Sequence, residues 1–437
     1  MRHICDLMRT VPGQWNGTLG AMTPAQSTEE AAPASVRRPH LPALDGLRGV
    51  AIIGVLLFHT GHLPGGFLGV DLFFALSGYL ITDLLLREVR VTGAVSLAAF
   101  WGRRVRRLLP ALAGMLASVT VLVWAVGPPD LVRTTLSDGP WVQSNLVNWH
   151  LLVESAGYWD RFGSERVFEH LWSIAVEEQF YLVWPALLAI IAWWARRAQR
   201  VGRVDHWGAV VATLVSAGSL VLMIVLLDPA DPSRVYTGTD TRAFSLLLGA
   251  LVATRPVHAA PARAIDRRAG AVSAVSVASA VSVVGIGAVW LLADGTDSPW
   301  LFTGGLFAHS LAAALLIGLC VRAPHAMVAR ALAWRPLRWC GLISYSLYLW
   351  HWPVIVLLSQ QRSGLGGWSW TAMVAGVSIG LAALSKYLIE DPIRFRARWA
   401  RGRSGLSAFA AVMIALAVLW AALPAPAPAT IDVTKLG

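Results

Sequence analysis

The chain has 437 residues, of which 56% are hydrophobic and 14% are charged, and its formal net charge is +11 at pH 7. A soluble domain carries about 25% charged residues, so this composition excludes an ordinary soluble protein and indicates a membrane protein. The positive charge could indicate a nucleic-acid-binding protein, but the arginines alternate with the apolar segments, and this distribution excludes that class.

The N-terminal residues 1–38 contain no continuous apolar run and therefore do not form a signal peptide. Their low hydrophobicity predicts a disordered arm. Eleven apolar segments follow, and all except the short sixth are long enough to cross a bilayer as a helix. The sequence therefore predicts an all-α polytopic membrane protein with helices over 44–61, 69–86, 108–127, 171–195, 207–227, 241–254, 271–292, 301–321, 340–359, 368–389 and 405–423.

Basic residues are concentrated in every second loop between these helices. The runs WGRRVRRLLP and IEDPIRFRARWARGR lie on one side of the membrane, whereas the loops of the other side contain only a few arginines. Because cytoplasmic loops carry the excess of Lys and Arg, the pattern predicts a cytoplasmic N-terminus, including the arm, and a C-terminus outside.

The first predicted helix contains ionisable residues in the stretch LDGLRGVAIIGVLLFH. Arg48 and His59 are eleven residues apart, which places them on one helix face and about 16 Å apart in depth. Asp45 is placed to pair with Arg48. A charge inside a span costs about 2.5–3.5 kcal/mol, so these residues indicate a functional site. The alternatives are an interfacial ion pair for Asp45 and Arg48, and a purely structural histidine.

A basic cluster marks the cytoplasmic end of the third predicted helix, in the run FWGRRVRRLLP. Arginine binds phosphate through paired hydrogen bonds, whereas many cytoplasmic arginine runs serve only topology or lipid headgroups. With a histidine about 16 Å deeper in the membrane, the cluster suits a long phosphorylated donor such as coenzyme A. The cluster is therefore a candidate binding site for the phosphates of such a donor.

The fourth predicted helix begins HLWSIAVEEQFYLVWP. His170 and Glu177 share a face of this helix, whereas Glu178 points about 100° away. We therefore expect Glu177 to orient and charge His59 as a general base. The alternative is a structural pair between Glu177 and Arg242.

Further polar residues are expected near the outer face. In TGTDTRAF, Asp240 and Arg242 lie at the outer end of the sixth predicted helix, where an arginine can bind a sugar-rich or anionic acceptor or stabilise an oxyanion. A local ion pair is the alternative. In ISYSLYLWHWP, Ser344, Tyr348 and His351 recur at i, i+4 and i+7 and give the ninth predicted helix a polar face. A structural role for His351 is equally open. The predicted acceptor-binding residues are His170, Asp240, Arg242, Ser344, Tyr348 and His351.

Seven motifs in this order resemble the acyltransferase 3 family of integral membrane acyltransferases, over about residues 40–395. They are LDGLRGVAIIGVLLFH, GGFLGVDLFFALSGYLIT, FWGRRVRRLLP, HLWSIAVEEQFYLVWP, DTRAFSLLLGA, ISYSLYLWHWP and SKYLIEDPIR. The resemblance implies a ten-helix domain of the bacterial cytoplasmic membrane that needs no metal. Such a domain transfers an acyl group, usually acetyl, from cytoplasmic acyl-CoA to a hydroxyl of a cell-envelope glycan, a sugar or a secreted small molecule.

The same resemblance assigns roles to several of the residues already singled out. The essential arginine and histidine of the first helix fall on Arg48 and His59, and the glutamate of the fourth helix falls on Glu177. The arginine motif falls on Arg103, Arg104 and Arg106, so the resemblance implies that these three residues and Arg48 are the coenzyme ligands.

The C-terminal part of the chain is similar to one subgroup of that family, in which an eleventh helix leads to an extracytoplasmic domain of the SGNH hydrolase type. Residues 405–423 predict the helix, and residues 424–437 form a Pro/Ala-rich extracytoplasmic tail without such a domain. Three alternatives follow: the domain has been lost, a separate extracytoplasmic SGNH-type protein supplies it as a partner, or the given sequence is truncated.

The sequence favours direct transfer, in which His59 takes the proton of the acceptor hydroxyl while arginines hold the coenzyme. A covalent acyl-histidine is the alternative route. Two other functions stay open: a proton-coupled transporter of a small polar solute, and an inactive scaffold for a separate envelope hydrolase. The sequence does not show the two related halves that many carriers contain.

Overall fold

The computed structural model describes residues 40–154, 158–159, 166–257, 271–295 and 297–426, and for residues 271–274 it describes the backbone only. The predicted disordered arm 1–38 and residues 427–437 of the predicted tail lie outside this described part. Within it the regular structure is entirely helical, as the composition predicts.

The helices are numbered in chain order. They are α1 Pro42–His59, α2 Gly69–Thr92, α3 Leu97–Val126, α4 Pro129–Gln143, α5 Val147–Val153, α6 Trp172–Arg197, α7 Val204–Val225, α8 Ser233–Thr237, α9 Thr239–Val252, α10 Ala271–Leu292, α11 Gly305–Arg322, α12 Met327–Leu332, α13 Arg335–Leu357, α14 Gln360–Ser363, α15 Gly367–Leu384 and α16 Gly402–Ala422. After α15, the chain continues as π-helical turns over Ser385–Glu390 and Pro392–Arg396.

Ten helical segments of the described residues are long and apolar enough to cross a membrane. They confirm the predicted polytopic all-α fold, including the last span, α16. The sixth predicted span is an exception, because α9 has only 14 residues. At about 1.5 Å per residue this helix measures about 21 Å, which is less than the roughly 30 Å of a bilayer core. Helix α9 is instead buried along most of its length by its neighbours.

Two predicted boundaries are wrong. Helix α3 begins at Leu97 rather than at residue 108, so the basic run belongs to the helix itself. Arginine is a good helix former, and the run contains no residue that ends a helix before Pro110. The segment between the predicted helices 108–127 and 171–195, for which no helix is predicted, contains the helices α4 and α5. The side-chain amide of Gln143 in α4 binds α16, donating to the carbonyl of Met413 and accepting from Trp420 Nε1, both at 2.8 Å.

Glycines allow the central helices to approach closely. A Cβ atom at Gly341 of α13 would lie 1.8 Å from the carbonyl oxygen of Asp45 in α1. A Cβ atom at Gly78 of α2 would lie 1.7 Å from the carbonyl oxygen of Leu246 in α9. Small residues at such crossings are how membrane helices gain close packing. The crossing of α1 and α13 aligns the two helices that carry His59 and His351.

Candidate active site

Two histidines contact each other, one at the C-terminal end of α1 and one in the C-terminal half of α13. His59 Nδ1 lies 3.1 Å from His351 Nε2, and His351 Nδ1 lies 2.8 Å from the carbonyl oxygen of Tyr348. A carbonyl only accepts, so Nδ1 of His351 carries the hydrogen and Nε2 of the neutral ring is an acceptor. His59 then donates from Nδ1, and the tautomer inferred from these contacts places the lone pair of neutral His59 on Nε2.

The prediction that Glu177 orients His59 is wrong. Glu177 accepts hydrogen bonds from Ser77 and Tyr181 and does not contact His59. The reason is depth, because Glu177 lies seven residues, or about 10 Å, further along α6 than His170. His351 takes the orienting position instead. The alternative pair between Glu177 and Arg242 is not formed either.

A third predicted residue, His170, completes the group of histidines. Its ring centroid lies 5.4 Å from that of His351 and 5.5 Å from that of Tyr348. Tyr348 donates to the carbonyl of His170 at 2.9 Å and contacts the hydroxyl of Ser173 at 2.6 Å. The two ring nitrogens of His170 are buried and find no hydrogen-bond partner among the described residues. Ser344 is also buried, and like Tyr348 and His351 it does not line the cavity that His59 and His170 face.

This cavity has a volume of about 390 Å³. Its walls combine aromatic rings with a few polar side chains, which is typical of small-molecule sites of 300–1,000 Å³. The lining includes His59, His170, Glu169, Gln360, Gln361, Phe58, Tyr158, Trp159, Trp352 and Trp370. Within the described part of the chain, His, Cys, Asp and Glu residues do not assemble into a group of three that could hold a metal ion.

A second group of charged residues consists of Arg48, Arg104, Arg107 and Arg394, and we refer to it as the arginine cluster. Arg48, Arg104 and Arg394 are each close enough to Arg107 for their positive charges to act on it. Two of the predicted coenzyme ligands, Arg48 and Arg104, belong to this cluster, whereas Arg103 is 47% exposed and pairs with Glu88 at 3.8 Å.

Other assignments at this end of the bundle change as well. Arg106 is not among the charges that act on Arg107, and Asp45 pairs with His40 at 2.6 Å rather than with Arg48. Sequence reasoning overlooked Arg107, although its spacing of three residues from Arg104 gives both a common helix face. Arg394 belongs to a separate segment of the chain, and its spacing gave no such signal.

A line of polar side chains, here named the polar column, connects the arginine cluster with the histidines. Arg104 lies over the ring of Tyr181 at 4.3 Å, and the hydroxyl of Tyr181 donates to Glu177. Ser173 is one helical turn from Glu177 and contacts Tyr348, whose carbonyl accepts from His351. The column therefore consists of Arg104, Tyr181, Glu177, Ser173 and Tyr348.

The predicted acceptor role of Asp240 and Arg242 is not supported, since neither residue lines the cavity. Arg242 is fully buried and donates to Asp71 at 2.7 Å, while Asp240 pairs with Arg234 at 2.8 Å. Asp71 also accepts from Ser245 of α9 at 2.8 Å and from Ser310 of α11 at 3.0 Å. This buried network joins α2, α9 and α11. Asp240 therefore forms the local ion pair of the alternative, whereas Arg242 pairs with a distant segment of the chain.

Replacing Arg242 with methionine is expected to destabilise the whole fold. It leaves the buried carboxylate of Asp71 uncompensated, which costs about 3–5 kcal/mol. Thermal unfolding in detergent should show a large fall in Tm. The control Arg234→Met breaks a part-exposed pair worth about 0–1 kcal/mol and should change Tm little. A stable Arg242→Met protein that fails only to bind its acceptor would instead support the predicted acceptor-binding role of Arg242.

Comparison with known proteins identifies the class. The family model for an acyltransferase domain, the acyltransferase 3 family, matches residues 41–386. The chain therefore belongs to this family.

Particular relatives are found among bacterial envelope proteins. The chain is 38% identical to YrhL of Bacillus subtilis over 363 residues, covering 81% of this chain and 55% of YrhL. It is 34% identical to the peptidoglycan O-acetyltransferase OatA of Listeria monocytogenes over 365 residues, with 82% and 56% covered. For the O-acetyltransferase OatA of Staphylococcus aureus the identity is 33% over 381 residues, with 85% and 58% covered. The chain thus spans a little over half the length of these relatives. No solved structure matches it significantly.

Proposed function

We propose that this chain is a membrane O-acyltransferase that moves an acetyl group from acetyl-CoA to a hydroxyl of a cell-envelope glycan. The observation that carries the proposal is the contact between His59 and His351 at the wall of a cavity large enough for a sugar. The names of the relatives support a glycan of the cell wall as the acceptor.

The arginine cluster is the proposed donor site. Four like charges repel one another in a bilayer, and a ligand with several phosphate oxygens relieves that repulsion through charge-assisted hydrogen bonds. Coenzyme A carries such phosphates at one end and its thioester at the other. On α1, Arg48 and His59 are separated by about 16 Å, so the polar column provides a path for the intervening arm. The excess of arginines at this end supports a cytoplasmic donor site.

In the proposed reaction, Nε2 of His59 takes the proton of the acceptor hydroxyl as its oxygen attacks the thioester carbonyl. The carbon–sulfur bond breaks, and the leaving thiolate of coenzyme A receives that proton from the His59 imidazolium. His351 keeps accepting from His59 Nδ1 throughout, which holds the ring and stabilises its positive charge. The products are the glycan ester and free coenzyme A.

Envelope glycans of a deletion strain, complemented with the wild-type or the His59→Gln gene, provide the test. Mass spectrometry is expected to find an acetyl ester that requires the wild-type gene. In parallel, the purified protein should form that ester from acetyl-CoA and isolated glycan. Identical glycans in all strains, together with solute uptake into proteoliposomes without ester formation, would overturn the proposal in favour of a carrier. A labelled acetyl group retained on the protein without acceptor would favour the acyl-histidine route over direct transfer.

A further inference from the structure

A buried charge cluster lies in the outer helices α4 and α5, apart from the histidine group. Asp138 is fully buried, and His150 and Arg166 are each less than one-tenth exposed. Oδ1 of Asp138 accepts hydrogen bonds from Arg166 Nη1 at 2.6 Å and from His150 Nε2 at 3.1 Å. Trp141 stacks on His150 with ring centroids 5.1 Å apart. A buried carboxylate with two such donors fixes the positions of both.

The main chain of Arg166 joins this cluster to the walls of the cavity. Its carbonyl oxygen accepts from Trp352 Nε1 at 2.8 Å and from the backbone N–H of Glu169 at 3.3 Å. Trp352 and Glu169 both line the cavity, and the ring of Trp352 lies 4.8 Å from that of His59. The carbonyl of Arg166 therefore binds two residues of the cavity wall, and one of them, Trp352, packs on the proposed base His59.

We propose that Asp138 and Arg166 are positioning residues for acyl transfer, because they hold the carbonyl that fixes Trp352 against His59. The proposal rests on the proposed function of His59. We refer to Asp138 and Arg166 as the clamp. A displacement of about 1 Å at a reacting group can cost on the order of 100-fold in rate, so loss of the clamp should lower kcat. Donor binding should be unaffected, since the arginine cluster shares no contact with the clamp.

The electrostatics of the cluster support a clamp that works as a unit. Burial raises the pKa of the Asp138 carboxyl, while the charges of Arg166 and His150 act in the opposite direction. The carboxylate therefore depends on its partners to remain ionised. The second guanidinium nitrogen of Arg166 adds a 3.6 Å contact to Glu154, which is half exposed at the outer surface.

The test is a double-mutant cycle on the full chain. Asp138→Asn weakens the clamp, and Trp352→Phe keeps a ring beside His59 but removes the N–H that binds the Arg166 carbonyl. Each variant should lower kcat about tenfold at an unchanged KM for acetyl-CoA. The double variant should also lose about tenfold rather than about a hundredfold, because both changes act through one carbonyl. The control Asp130→Asn alters a carboxylate of the same helix that is 78% exposed and should leave kcat unchanged.

A second readout does not depend on activity. Diethyl pyrocarbonate modifies accessible unprotonated histidines, and peptide mass spectrometry quantifies the rate at His59. Asp138→Asn and Trp352→Phe should both speed this modification, and Trp352→Phe alone tests the link if Asp138→Asn does not fold. Folded variants that lower only Tm, multiply their effects on kcat, or leave the His59 modification rate unchanged would overturn the positioning role. A wild-type protein without transferase activity, but with the expected modification rates, would overturn the proposed function and not the clamp.

Discussion

Replacing His59 with glutamine should lower kcat for acetyl transfer by about 10³-fold while the Kd for coenzyme A stays within about twofold of the wild-type value. General bases contribute about 10²–10⁴-fold, and glutamine cannot take a proton at neutral pH. The donor's phosphates are proposed to bind the arginine cluster, which shares no contact with His59. Single-turnover transfer and equilibrium binding of coenzyme A to the purified protein measure the two quantities separately.

The matched control for this variant is His62→Gln. His62 lies three residues after His59, but its ring stacks on Trp368 with centroids 3.6 Å apart, and its Nε2 contacts the hydroxyl of Thr371 at 2.8 Å. It does not line the cavity, so its replacement should change kcat by less than about twofold. Equal losses in both variants would mean that the outer end of α1 matters for folding and that His59 is not the base.

Replacing Arg107 with glutamine should raise the KM for acetyl-CoA by about 10- to 100-fold. A hydrogen bond to a charged group contributes about 1.5–3 kcal/mol, and every 1.4 kcal/mol is a factor of ten in affinity. The change in kcat should be smaller, because the thioester is proposed to bind at the other end of the polar column. Steady-state kinetics with varied donor concentration measure the two constants.

Arg103→Gln is the informative comparison for Arg107. Both residues belong to the same basic run, but Arg103 pairs with Glu88 at 3.8 Å and does not act on Arg107. Its replacement should raise the KM for acetyl-CoA by less than about threefold. A larger effect for Arg103 than for Arg107 would mean that the donor binds on the exposed side of α3 and not at the arginine cluster.

The sequence predicted those parts of the site that lie on one helix. Helical periodicity places Arg48 and His59 on one face of α1, and the motif ISYSLYLWHWP predicts the polar face of α13 that carries Tyr348 and His351. The structure retains both arrangements. Apolar length likewise predicted the long spans, because a bilayer sets a minimum length that does not depend on tertiary contacts.

Partners across helices could not be predicted in the same way. A helix face shows the direction of a side chain but not the depth of its partner. The sequence therefore pairs Glu177 with His59, although Glu177 lies about 10 Å further along the helix than His170, which lies beside His351. Arg242 was expected to bind the acceptor because the sequence does not show that Asp71, on a distant segment, lies 2.7 Å away. The role of His351 as the partner of His59 likewise depends on the glycine crossing of α1 with α13, which brings the two rings together.

The central claim is that donor and acceptor reach one polar column from opposite faces of the membrane. The most direct test is transfer in sealed proteoliposomes of known orientation, with acetyl-CoA confined to one side and a soluble glycan acceptor to the other. The account predicts ester formation only when acetyl-CoA faces the arginine-rich side and the glycan faces the cavity that contains His59. Ester formation only when both substrates are on the same side would contradict it.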